Sequence, residues 1–196
     1  MELSEKFNFV STVLSRANPN NTAFIENDQR WTYQQLGDNI RSVAGWLTTQ
    51  GIQPEQRVAI IMRDGCDTAA LILGCMYAGI VAVPLDPRSS IETLRHCVDH
   101  CGARLVITED HDMKEKLELP AHNIHPRSVM RVVYRCAPAT AADTHRDSAA
   151  IFMYTSGTTG HPKAVVHAQF APWVINRKST RLNSSHIPLS RMPSSA

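Results

Sequence analysis

Helical and strand patterns alternate along this chain, and that alternation predicts an α/β fold: a mostly parallel sheet with flanking helices. Two observations carry the prediction. The runs 58–62, 81–85 and 104–108 are short, apolar and rich in β-branched residues, without the polar alternation of a strand that faces water on one side. Between them lie segments of helical length and pattern, the first two closed by glycines at 51 and 79.

Each element has a local reason. Thr32 and Gln35 stand in capping-box spacing, opening a helix that carries Leu36, Ile40, Val43, Ala44 and Leu47 on one face; Gly51 ends it. Val58-Ala59-Ile60-Ile61-Met62 follows as a doubly buried strand, then a largely apolar helix over 66–78 closed by Gly79. Val81-Ala82-Val83-Pro84-Leu85 is a second strand, with its proline near the end, where a missing N–H is tolerated. A helix over 90–100, a strand over 104–108 and a charged helix over 113–119 come next. Past Pro120 the pattern weakens: 129–134 reads as a strand and 137–147 as a flexible connection. Ala149-Ala150-Ile151-Phe152-Met153 restores a buried strand.

That strand leads into Tyr154-Thr155-Ser156-Gly157-Thr158-Thr159-Gly160-His161-Pro162-Lys163, where the chemistry concentrates. Gly157 and Gly160 let backbone N–H groups turn toward an anion without a Cβ in the way. Thr155, Ser156, Thr158 and Thr159 add hydroxyls able to donate to phosphate oxygens or reach a magnesium ion. Lys163 contributes a compact, mobile positive charge. The loop reads as an ATP site. It is not a Walker loop, which needs Gly-Lys followed directly by Ser or Thr; here Pro162 precedes the lysine and Ala164 follows it.

Thr-Ser-Gly-Thr-Thr-Gly-x-Pro-Lys instead resembles the signature loop of the adenylate-forming superfamily: acyl- and aryl-CoA ligases, peptide-synthetase adenylation domains and luciferases. The order of the remaining segments resembles that family too, with Trp31-Thr32-Tyr33-Gln34-Gln35-Leu36 near the start and 74–85 as the next helix–strand unit. The resemblance implies an N-terminal part of an adenylation domain. It also implies a reaction in which a carboxylate attacks the α-phosphate of ATP and a thiol, of coenzyme A or a carrier-bound pantetheine, then displaces AMP. Thr155 to Gly160 and Lys163 would serve the pyrophosphate leaving group with Mg2+; none of them is a catalytic residue in the chemical sense. The family's adenine-facing, ribose-binding and hinge elements are not found in this sequence. The expectation is therefore an incomplete, inactive piece whose sheet leaves an open edge. Ala164 stands where most members carry glycine and points toward the aryl branch. His167 sits where the family often has histidine, and is read either as shaping the site or as a structural residue.

From Asn176 the chain changes character. Residues 177–186 and 190–196 are similar, in one frame and with an index-sized gap, to the translation of a common short-read sequencing adapter. The alternative is a natural basic, Ser-rich tail. The expected organisation is thus a partial adenylation domain over 1–175 and a non-native, disordered tail over 176–196. Arg177, Lys178, Arg181 and Arg191 belong to that tail. Without these four, 20 basic residues become 16 against 18 acidic ones, and the formal charge moves from +2 to −2. No nucleic-acid partner follows from such a balance. The sequence carries no signal peptide and no apolar run long enough to span a membrane. Five cysteines at irregular spacing suit reduced thiols in the cytoplasm. The expected partner is a small carboxylic acid.

Two further groups are weighed and set aside. His96, Cys97, His100 and Cys101 share one predicted helix and lack the intervening turn that lets four ligands converge on zinc, so the cysteines should face the core and the histidines solvent. Asp64, Asp67 and Asp86 lie near strand ends and read as turn and cap residues. His161 occupies a variable position and receives no role.

Overall fold

The computed structural model describes residues 6–109, 112–118, 123–155 and 162–174. The chain opens with α1 (Phe9–Arg16), the hairpin β1 (Thr22–Glu26) and β2 (Gln29–Thr32), and α2 (Tyr33–Thr49). Then come β3 (Arg57–Ile61), α3 (Cys66–Tyr77), β4 (Val81–Leu85), α4 (Ile91–Cys101), β5 (Ala103–Thr108), α5 (Met113–Leu117), β6 (Asn123–Pro126), α6 (Met130–Val133), β7 (Ala149–Thr155) and β8 (Lys163–Ala168).

The central sheet runs β6-β5-β3-β4-β7-β8. Strands β3 to β7 are parallel, and β8 returns antiparallel on β7. The pleat divides the buried side chains between two layers. Val58 and Ile60, with Leu105 and Ile107, pack under α2 and α3; Ala59, Ile61, Val83 and Val106 pack under α4 and α5. A third cluster joins α1, α2 and α3 through Val10, Leu36, Ile40 and Met76. Helices α2 and α3 approach so closely that a Cβ on Gly74 would lie 2.3 Å from Val43 Cγ1.

The capping box forms as expected, Gln35 N–H donating to Thr32 Oγ1 and Thr32 N–H to Gln35 Oε1. Gly51, Gly79 and Gly102 all adopt the left-handed conformation just past their helices. Two expectations are corrected. Residues 129–134 are a 3-10 turn running into α6, because Met130 and Val133 meet the core at helical spacing beneath α2. The segment 137–147 is a fixed, extended strap: Ala139 N–H donates to Arg41 O, Ala142 N–H to Tyr77 O, and Ala137 O fills the space a Cβ on Gly45 would need.

The N-terminal segment and the strand edge are clasped together. Asn8 Nδ2 donates to Tyr77 O, and Gln169, fully buried, donates from Nε2 to Met76 O while its Oε1 accepts from Phe9 N–H. Phe7 meets Phe170 and Trp173 edge-on, and Lys6 pairs with Asp143. Along the outer strand Val165 and Val166 remain exposed.

Candidate functional site

The loop identified from sequence is the connection between β7 and β8. Those strands pair in register from Ile151↔His167 to Thr155↔Lys163, so the two ends of the loop are cross-strand partners. Thr155 and Lys163 are both exposed at that end, facing each other across the two strands at the loop's base. Ser156, Gly157, Thr158, Thr159 and Gly160 lie outside the described residues. Because β7 is parallel to β4, the loop leaves the sheet at its carboxyl edge.

That edge holds a cleft of about 520 Å³ lined by Met62, Arg63 and Asp64 after β3, Asp86 and Arg88 after β4, and Met153 of β7. The position has a topological cause. The chain leaves β3 for α3 on one face and leaves β4 for α4 on the other, so adjacent strand ends splay apart. Open α/β sheets bind ligands at such a crevice. Asp86 accepts from the Arg88 backbone and guanidinium, which holds its carboxyl below the usual carboxylate range.

Neighbouring polar groups are mostly structural. Helix α3 starts at Gly65, which has no capping side chain, and Glu26 of the hairpin supplies one: its Oε2 accepts from Cys66 N–H at 2.9 Å. Asp67 departs from its expected turn role, accepting from Arg127 Nε at 2.8 Å and from the Tyr134 hydroxyl at 2.7 Å. Burial, and then that bond to Asp67, push the Tyr134 phenol up. Sequence reasoning missed this trio because Asp67 lies 60 and 67 residues before its two partners.

Helix α4 meets β7 directly. Cys97 and Cys101 are buried, as expected, and burial pushes both thiols up, Cys101 to about 11. His100 is exposed, yet its Nδ1 lies 2.8 Å from the Tyr154 hydroxyl, which donates to Cys97 O at 3.1 Å. His167 is half-buried in β8, opposite Ile151. Among the described residues no group of three or more His, Cys, Asp or Glu is placed to hold a metal ion.

A sequence profile described as AMP-binding enzyme matches residues 13–191. The chain belongs to the AMP-binding enzyme family. Among curated members of that family, it is 28% identical over 187 residues to the 4-hydroxybenzoate–CoA/benzoate–CoA ligase of Rhodopseudomonas palustris, an alignment covering 88% of this chain and 35% of the ligase. It is 30% identical over 148 residues to bacitracin synthase 1 of Bacillus licheniformis, covering 76% of this chain and 3% of the synthase. The crystal structure of VinN superposes with a TM-score of 0.79 at 26% identity, covering 90% of this chain and 50% of VinN. This member of the family thus spans about a third of the curated CoA ligase it matches, and its sheet is that of the family's N-terminal subdomain. Among the described residues no helix is long and apolar enough to cross a membrane.

Proposed function

We propose that this chain is the pyrophosphate-holding part of an ATP-dependent, AMP-forming acid–CoA ligase, acting on a small and preferably aromatic carboxylic acid. The observation that supports it best is the cross-strand pair Thr155↔Lys163, exposed at the carboxyl edge beside the cleft, in a chain of the AMP-binding family. Adenylation separates charge onto a leaving pyrophosphate, and an ammonium fixed at a strand end can stabilise that charge as it develops. Thr155, Ser156, Thr158 and Thr159 are hard oxygen donors of the kind magnesium prefers. When bound, the metal would neutralise phosphate oxygens. The chain's own residues hold the leaving group in line; adenine, ribose and the acid need side chains from other parts of such an enzyme. Alone, the chain is expected to bind phosphate without turning over. The five cysteines are unpaired, in keeping with a cytoplasmic setting.

The test is a half-reaction measurement on the complete enzyme that carries this segment. Lys163→Ala should slow adenylation by about 10²-fold, as removal of one transition-state donor does, while thioester formation from supplied acyl-adenylate changes little. Equal losses in both half-reactions would remove Lys163 from the pyrophosphate.

A peptide-synthetase adenylation domain is the second reading, favoured by the similarity to bacitracin synthase 1. A carrier-protein serine motif downstream in the gene would establish it. We further propose that residues 176–196 derive from a sequencing adapter, although the family match runs into that stretch. Re-sequencing the source DNA across the 175–177 junction decides this: an open frame into adenine and ribose motifs supports it. A coding 177–196 segment with a stop overturns it, and makes a short, non-catalytic phosphate-binding module the reading to test.

A further inference from the structure

The hairpin that carries the phosphate loop is joined to the sheet by a thin ladder. Strands β4 and β7 pair through Ala82↔Ile151, whereas β3 pairs with β4 over five positions. Past Ile151 the last residues of β7 pair with β8 rather than with β4, so backbone hydrogen bonds fix them within the hairpin but not to the sheet centre. A side chain supplies that link. Phe152 and Tyr154 pack against the layer under α4, and the Tyr154 hydroxyl reaches Cys97 O at 3.1 Å. That hydroxyl has one proton, which Cys97 O accepts, so His100 Nδ1 at 2.8 Å is the donor to the Tyr154 oxygen. Both contacts come from the C-terminal half of α4. The end of that helix is itself pinned to the sheet: Arg57 Nε donates to Cys101 O at 2.6 Å and Nη2 to Gly102 O at 3.1 Å. A continuous chain of hydrogen bonds and covalent geometry therefore runs from β3 through the end of α4 to the residue before Thr155.

We propose that Tyr154 is a positioning residue for the phosphate loop, its hydroxyl holding the Thr155–Lys163 end of the hairpin at a fixed distance from α4, with His100 as its second anchor. The proposal rests on the reading of 155–163 as a phosphate site. Tyr154 does not touch phosphate on this account, since its ring and hydroxyl face α4, opposite to Met153 and the cleft. Its effect is on where Thr155 and Lys163 are presented.

The experiment uses the chain as it stands, in wild-type form and as Tyr154→Phe, His100→Ala and His100→Asn. Two quantities are read: affinity for magnesium pyrophosphate by calorimetry, and amide hydrogen exchange in β3 and in the β7–β8 hairpin by NMR. Tyr154→Phe keeps the ring and loses the tether. It should weaken pyrophosphate about 10-fold and accelerate exchange at Thr155, Lys163 and Ala164 about 10-fold, leaving Ile60 and Ile61 of β3 unchanged. His100→Asn retains an N–H donor and should stay within about twofold of wild type, with His100→Ala falling between the two variants. A uniform acceleration across β3 and β8 would mean that Tyr154 only stabilises the fold, and would overturn the proposal. So would pyrophosphate binding that Tyr154→Phe leaves unchanged. Failure of the wild-type chain to bind pyrophosphate would instead sink the phosphate reading itself, and the role of Tyr154 with it.

Discussion

Replacing Gly74 by alanine sets two opposing effects of known size against each other. In an unobstructed helix the change is favourable by about 1 kcal/mol. Here the new Cβ would lie 2.3 Å from Val43 Cγ1 and 2.6 Å from Val43 Cβ, with Ile40 O at 3.4 Å. Ordinary carbon contacts are about 3.5–4.0 Å, so α2 and α3 must separate by roughly 1.2 Å or more. Val43 is fully buried, and its β-branched side chain has one favoured rotamer in a helix, so it cannot swing aside. Overpacking of this severity belongs at the upper end of the usual range, about 3 kcal/mol. After the helical gain, Gly74→Ala should destabilise by about 2 kcal/mol, read as a lower urea midpoint at unchanged slope. Val43→Ala removes the Cγ1 overlap but leaves the 2.6 Å contact, so the double variant should be about 1 kcal/mol more stable than additivity allows. Gly37→Ala is the control: its Cβ would meet the tips of Arg41 at 3.4 Å, and the variant should gain about 0.5–1 kcal/mol. A Gly74→Ala protein as stable as wild type would refute the reasoning, since the two helices would then have room to separate freely.

Three other outcomes are expected. Glu26→Ala leaves the first turn of α3 without its carboxylate and should cost about 1 kcal/mol in chemical unfolding, with Glu26→Gln costing less because an amide oxygen still accepts from Cys66 N–H. Aromatic disulfide reagents near pH 8 should label Cys136 first, because Cys66, Cys75, Cys97 and Cys101 are buried and burial holds their thiols protonated. Those raised thiols also set an alkaline limit. Cys75 stands at about 12 and Cys101 at about 11 against an ordinary 9.0, so their contribution is complete below pH 9 and is lost as pH climbs toward 11 to 12. Substituting Cys75 with alanine should flatten the fall in thermal midpoint between pH 9 and 11.

Strands buried on both faces are the easiest elements to recognise in a sequence, and β3, β4 and β5 fall within a residue or so of their predicted places. The helices between them announce themselves through Thr32, Ser90 and the terminal glycines at 51 and 79, with Gly102 playing the same part unremarked in the sequence. What escaped prediction has a common physical origin. The hairpin β1–β2 is mostly exposed, with Ala23 and Trp31 only partly buried against the core, and β6 is an edge strand of four residues that ends in a proline. The β-branched stretch around Val132 and Val133 looks like a strand until Met130 and Val133 find the same core. Locally, propensity points one way and packing the other. At the candidate site, the loop composition was legible, and so was the lysine. The side-chain contacts at the base of the loop were not, because the links from Tyr154 to Cys97 and His100 span 57 and 54 residues.

The single Ala82↔Ile151 pair also bears on how the chain folds. Strands β3, β4 and β5 find one another across short crossovers, so they can form an early nucleus. Strand β7 must close a loop of about 70 residues to reach β4, and Gln169 must find Met76 across 93. The hairpin is therefore expected to dock late and open early, as a unit separate from the nucleus, which pulsed hydrogen exchange during refolding would show. A nascent chain can hold a formed sheet centre while the segment proposed to hold phosphate is still searching for its place, and ligand capture would then pull the last step of folding forward by mass action.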